Sequence, residues 1–115
     1  MNKWIVIALV AAAGAAQAAD RAAVQRGKQS YVEFGCVKCH GAAGQGSVSG
    51  LKLAPDVLPT DAIVSFLRGT TGPMPRYGVE IISDAQIGDI HAYLESLPRP
   101  ASPDSIAALK NIRGK

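Results

Sequence analysis

Apolar residues recur in this chain at steps of three and four. Val24, Gly27, Tyr31 and Phe34 fall on one face of a helix expected from Asp20 to Phe34. Ala22, Ala23, Gln25, Arg26, Lys28 and Gln29 fill the rest of it with helix-tolerant side chains. Gly27 lies inside the apolar face, where glycine costs about 1 kcal/mol relative to alanine; close approach by a second helix would compensate. Gly35 ends the segment. A second, shorter helix is expected from Thr60 to Arg68, with Thr60 as N-cap, Asp61 at the positive end and Ile63, Val64, Phe66 and Leu67 as its stripe. Gly69 stops it. The third begins at Ser83-Asp84-Ala85-Gln86, the pattern of a capping box, and runs to Leu97 before Pro98. Ile87, Ile90, Leu94 and Leu97 form its buried stripe, with Tyr93 beside them. Beyond the stiff stretch Pro98 to Pro103, a last short helix over 103–113 has Ser102 as cap, Pro103 in first position and Ile106, Leu109 and Ile112 along one side. The pattern is all-α.

The first eighteen residues read differently. Lys3 is a short positive region, Trp4 to Ala16 an apolar run, and Ala16-Gln17-Ala18 a small-x-small cleavage site. Residues 1–18 are therefore expected to be a signal peptide, with the mature chain starting at Ala19. The run is short for a membrane span, which needs about 20 apolar residues. Twelve basic residues stand against 9 acidic ones, a formal net charge of +3. That is too weak and too scattered to argue for nucleic acid.

The chemistry is concentrated in Cys36-Val37-Lys38-Cys39-His40. Cys-x-x-Cys-His is the attachment sequence of a c-type haem. On one helical turn, positions i, i+3 and i+4 share a face. Cys36 and Cys39 can each form a thioether to a haem vinyl group, and His40 can stand under the iron as proximal ligand. A thioredoxin-type disulfide would want a βαβ context, which is not visible. A structural zinc would want further ligands, and only His91 remains. The glycine-rich stretch Gly41 to Gly50 is a loop without the Gly-Lys-Ser/Thr of a phosphate cradle. It reads as backbone passing close to the haem edge, with Leu51, Leu53 and Val57 available to the porphyrin face. The carbonyl of Pro55 is a candidate acceptor for Nδ1 of His40. Met74 is the one thioether left once Met1 departs, and it stands between Pro73 and Pro75 in a polar loop. Methionine is ordinarily a flexible core filler, so this setting suits a distal iron ligand. His91 is its rival, with a satisfied helix histidine as the plainer reading.

From about Ala22 to Pro98 the chain resembles class I c-type cytochromes of the small bacterial periplasmic kind. The likeness rests on Cys36-Val37-Lys38-Cys39-His40-Gly41, on Gly72-Pro73-Met74-Pro75-Arg76-Tyr77, on Gly27 with Tyr31, and on Tyr93-Leu94 with Leu97-Pro98. The tail after Pro98 has no counterpart in it. The resemblance implies a cytochrome c fold, three to four helices around one covalently bound haem c, with the first and last helices crossing at Gly27. It implies a cytochrome domain over 19–98, followed by a proline-rich linker and tail helix over 99–115. It also implies haem attachment outside the cytoplasm, hence the periplasm, with no membrane span after signal cleavage.

Six iron ligands, four pyrrole nitrogens with His40 and Met74, would leave no open position for substrate. The expectation is a one-electron carrier and not an enzyme. Its partners would be redox proteins: a periplasmic dehydrogenase, a terminal oxidase or another cytochrome. Alternatives are a permanent subunit of a dehydrogenase, a five-coordinate haem enzyme or sensor if Met74 is off the iron, or an exported redox Cys-x-x-Cys protein without haem.

Overall fold

The computed structural model describes residues 3–113, and at 3–15, 19, 110, 111 and 113 it describes the backbone alone. Five α-helices follow in order: α1 Lys3–Glu33, α2 Cys36–His40, α3 Thr60–Gly69, α4 Asp84–Ser96 and α5 Ala107–Arg113. Among the described residues there is no strand, only an isolated bridge between Ser47 and Gly50. The chain is all-α. No helix among them is long and apolar enough to cross a membrane.

The first helix differs from expectation at its start. It begins at Lys3 and not at Asp20, because the stretch before Asp20 is rich in alanine, the best helix former, holds no proline, and carries its single glycine, Gly14, between alanines. The expected cleavage point after Ala18 lies inside this continuous helix. Met1, Asn2 and the side chains through Ala15 of the expected leader lie outside the described residues, as do Gly114 and Lys115.

The core is the crossing of α1 with α4. Gly27 is where the two backbones meet: a Cβ there would stand 1.8 Å from the Asp89 carbonyl oxygen. Only glycine permits that approach, which accounts for its place in the apolar face. Beside the crossing, Arg26 of α1 grips Asp89 of α4 through Nε at 2.7 Å and Nη2 at 3.0 Å. Tyr31 from α1 and Ile87, Ile90, Tyr93 and Leu94 from α4 are buried together. Ile87 is wholly buried, worth about 1.5–3 kcal/mol by itself. Ile82 and Ala54 join this core from outside the helices, which the helical periodicity did not foretell.

The capping box of α4 forms as expected: the Ser83 hydroxyl accepts from the Gln86 N–H, and the Gln86 side chain accepts from the Ser83 N–H. Thr60 does not cap α3. Pro59 holds the N-cap position without a side-chain bond and Thr60 is already helical. Ile63, Val64 and Leu67 pack inward, but Phe66 is exposed. The tail is a 3-10 turn, Pro103–Ser105, followed by the short α5 and not one helix. The Ser102 side chain accepts from the Asp104 N–H, as a cap should. Among the described residues α5 packs against nothing but that turn.

Candidate functional site

Cys36, Cys39 and His40 share α2, a single helical turn. A glycine bounds it on each side, Gly35 at φ 81° and Gly41 at φ 80°, a region that residues with a Cβ avoid. The chain thus turns sharply into and out of the motif. Cys36 is half-buried and Cys39 exposed; both are free thiols. Burial pushes the Cys36 thiol up, its own backbone hydrogen bond opposes this, and Cys39 adds a little more.

His40 is buried, with 8 % of its surface exposed. Its Nδ1 stands 2.6 Å from the Leu51 carbonyl oxygen. A carbonyl can only accept, so Nδ1 is the donor of this pair, which turns Nε2 to the other side as the nitrogen a metal would take. The acceptor is Leu51 and not Pro55. The reason is the tightness of the loop after His40. Gly46 N–H donates to His40 O, Ser47 N–H to Gly50 O, and both Leu53 and Ala54 N–H to Gly44 O. These bonds fold the loop back early and bring position 51 to the imidazole. Leu53 and Val57 pack on the core, whereas the Leu51 side chain is exposed.

The chain has three tyrosines, and each donates its hydroxyl to a backbone carbonyl close to this motif. Tyr31 reaches Gly41 O at 2.7 Å, Tyr93 reaches Ala42 O at 2.8 Å, and Tyr77 reaches Phe34 O at 2.8 Å. Tyr31 and Tyr93 also stack edge-wise, centroids 5.5 Å apart. Tyr31 on a helix face, Tyr93 beside one and Tyr77 in a loop carry no mark of these acceptors in the sequence. The available signal was chemical: a buried tyrosine needs a partner for its hydroxyl.

Met74 is half-buried against the same core that receives Cys36, Phe34 and Tyr77. Its loop is tied to the motif by Tyr77, whose acceptor lies two residues ahead of Cys36. Burial, then the charges of Cys36 and Cys39, push the Tyr77 phenol up. His91 is elsewhere engaged: its Nδ1 is 3.7 Å from Glu95 Oε2, one turn on in α4. Among the described residues no three His, Cys, Asp or Glu side chains are grouped to hold a metal ion, which leaves the zinc alternative without a ligand set there.

The model of the family described as "Cytochrome C oxidase, cbb3-type, subunit III" matches residues 22–94. The chain belongs to this cbb3-type cytochrome family. Among curated relatives, the cbb3-type cytochrome c oxidase subunit CcoP of Helicobacter pylori is 32% identical over 82 residues, covering 64% of this chain and 28% of that protein. The chain therefore spans little more than a quarter of that relative's length. No solved structure matches. The cbb3-type match spans the crossing of α1 and α4, the whole of α2 and α3, and Met74, and ends at Leu94 before the tail. It makes the protein a c-type cytochrome, a haem protein of electron transport. The donor set fits the group: two thiols on one turn, and a buried imidazole whose Nδ1 is already held by a carbonyl.

Proposed function

We propose that this chain carries one haem c bound through Cys36 and Cys39, with His40 and Met74 as axial ligands, and passes single electrons in the periplasm after its leader is removed at Ala19. The observation that carries this is His40: a buried imidazole directly behind two cysteines, with Nδ1 held by the Leu51 carbonyl. When bound, the haem supplies a one-electron couple, which His/Met ligation places at relatively high potential.

The chain's own residues do the rest. Tyr31 and Tyr93 fix the backbone just after His40. The Leu51 carbonyl orients the imidazole and raises its basicity. Met74 would supply the iron's second protein ligand, which would leave no site for substrate and make the protein a carrier. Exposed Cys39, Val48 and Leu51 mark the face open to a partner, where docking would be brief and small in area. Of the partners expected, a terminal oxidase is favoured, because the Helicobacter pylori relative is named as an oxidase subunit. Permanent membership of such a complex is the second reading; the uncovered α5 favours it.

Intact mass of denatured native protein tests attachment. The expected mass is the polypeptide from Ala19 plus one haem; the bare polypeptide would overturn the assignment. Met74→Ala should keep the haem, lower the potential and abolish the far-red iron–thioether absorption of the oxidised protein. Unchanged absorption in Met74→Ala, with His91→Ala changing it instead, would refute Met74 as the ligand. Co-purification with an oxidase that survives washing would separate subunit from shuttle.

A further inference from the structure

Met74 sits on a loop that makes hydrogen bonds only at its base. Among the described residues, 71–75 make none. The Thr70 N–H donates to Phe66 O, and Arg76 Nε reaches Thr70 O at a long 3.4 Å. At Tyr77 the situation changes. Its N–H donates to Leu67 O at 3.0 Å, its carbonyl accepts from Arg68 Nη1 at 2.7 Å, and its hydroxyl donates to Phe34 O at 2.8 Å. Every polar atom of this residue is engaged. Arg68, largely buried, carries the restraint onward: its Nη2 donates to Ile82 O at 2.9 Å and pairs with the Asp84 carboxylate. One guanidinium thus spans the loop's exit and the approach to α4, a reach that a lysine's single charged point does not reproduce.

We propose that Tyr77 and Arg68 are positioning residues for the distal ligand, holding the Met74 loop shut against the haem-binding turn. The inference rests on the reading of Met74 as ligand. A thioether on an otherwise unbonded loop has nothing nearer to hold it. A competing ligand takes its position only when the loop swings out, and that motion breaks the Tyr77 hydroxyl's bond to Phe34 O. The bond therefore enters the apparent affinity of the competitor as a population factor. A net hydrogen bond corresponds to about a fivefold change in that equilibrium.

The test uses haem-loaded, oxidised full-length protein and imidazole as the competing ligand. Tyr77→Phe, which keeps the ring, should bind imidazole about fivefold more tightly, with the far-red band retained in its absence. Arg68→Lys should move affinity the same way. Amide exchange at Thr70 and Tyr77 should quicken in Tyr77→Phe while that of α4 stays protected. Asp89→Ala, which breaks an α1–α4 ion pair away from the loop, should lower the melting temperature and leave imidazole affinity alone. If Tyr77→Phe lowers melting temperature but binds imidazole like wild type, or if Asp89→Ala shifts affinity equally, the proposal is overturned. Met74→Ala separates the two levels. Tight imidazole binding there, with no change in Tyr77→Phe, sinks only the positioning role. Wild-type binding in Met74→Ala sinks the ligand reading and the positioning role with it.

Discussion

The two sides of the site are built in opposite ways. Around His40 the backbone is tied within itself: Gly41, Gly44, Gly46, Ser47, Leu53 and Ala54 donate within the segment, and two tyrosines clamp it from α1 and α4. Around Met74 the chain is bonded only at the base of its loop, at Thr70 and Arg76 and above all at Tyr77, whose partners come from α3 and from Phe34. Local density makes the His40 side stiff without outside help. The Met74 side owes its position to prolines within and to two remote anchors. In proteins, local opening begins where such backbone bonds are few, so the distal side should yield first.

The largest way to break this contrast is to attack what supports the stiff side. Gly27→Ala puts a Cβ into the Asp89 carbonyl, a backbone atom that cannot rotate away. It should part α1 from α4 and with them Tyr31 from Tyr93. Overpacking of this severity costs about 3 kcal/mol, which lowers the melting temperature of a domain this size by roughly 12–24 °C. Wild-type melting would show that the crossing is not the stiff side's foundation.

A smaller effect comes from one clamp alone. Tyr31→Phe should cost about 0.5–1.5 kcal/mol, because the part-buried Gly41 carbonyl loses one of its two donors and keeps the Gly44 N–H. It also changes the alkaline limb. Burial, the largest cause, pushes the Tyr31 phenol up from 10.0 to about 12. Between those values the unfolded chain has released its proton and the folded one has not. Stability should therefore fall as pH rises through that window. Tyr31→Phe should flatten the slope in pH-dependent denaturant titrations. An unchanged slope would mean the phenol is not the group responsible.

The smallest effect sharpens the boundary of the whole comparison. Arg99 still reaches back to Asp56 at 2.7 Å, but both side chains are exposed, and such pairs contribute about 0–1 kcal/mol. Residues 101–109 are exposed throughout. Truncation after Pro100 should leave melting temperature and potential at their full-length values while weakening recovery of a bound partner. A marked loss of thermal stability would show that the tail belongs to the body.

Legibility in the sequence followed the range of the interaction. The α2 turn, the capping box of α4 and the faces of α1 and α4 rest on spacings of three and four residues, and all were readable. Gly27 was readable as an exception that demanded a neighbour. What escaped were bonds whose acceptor is a backbone carbonyl far along the chain. Leu51 serves His40 across eleven positions, Tyr77 reaches Phe34 across 43 and Tyr93 reaches Ala42 across 51. A carbonyl is the same at every residue, so nothing in the letter at position 51, 34 or 42 announces it. Ile82 and Ala54 escaped for a related reason, since they enter the core from loops that have no period. The fork of Arg68 was hidden likewise, two of its three partners being main-chain oxygens or reached through them.

Leu51 divides its atoms between two tasks. Its carbonyl meets the imidazole of His40 while its side chain stands in solvent. Because the contact to the ligand is main chain, exchanging the side chain leaves it in place. On the proposed reading of His40 as the iron's ligand, the outer face beside it could thus be rewritten for a different docking partner without retuning that ligand, so that who the protein meets and how strongly it holds an electron would be free to change separately.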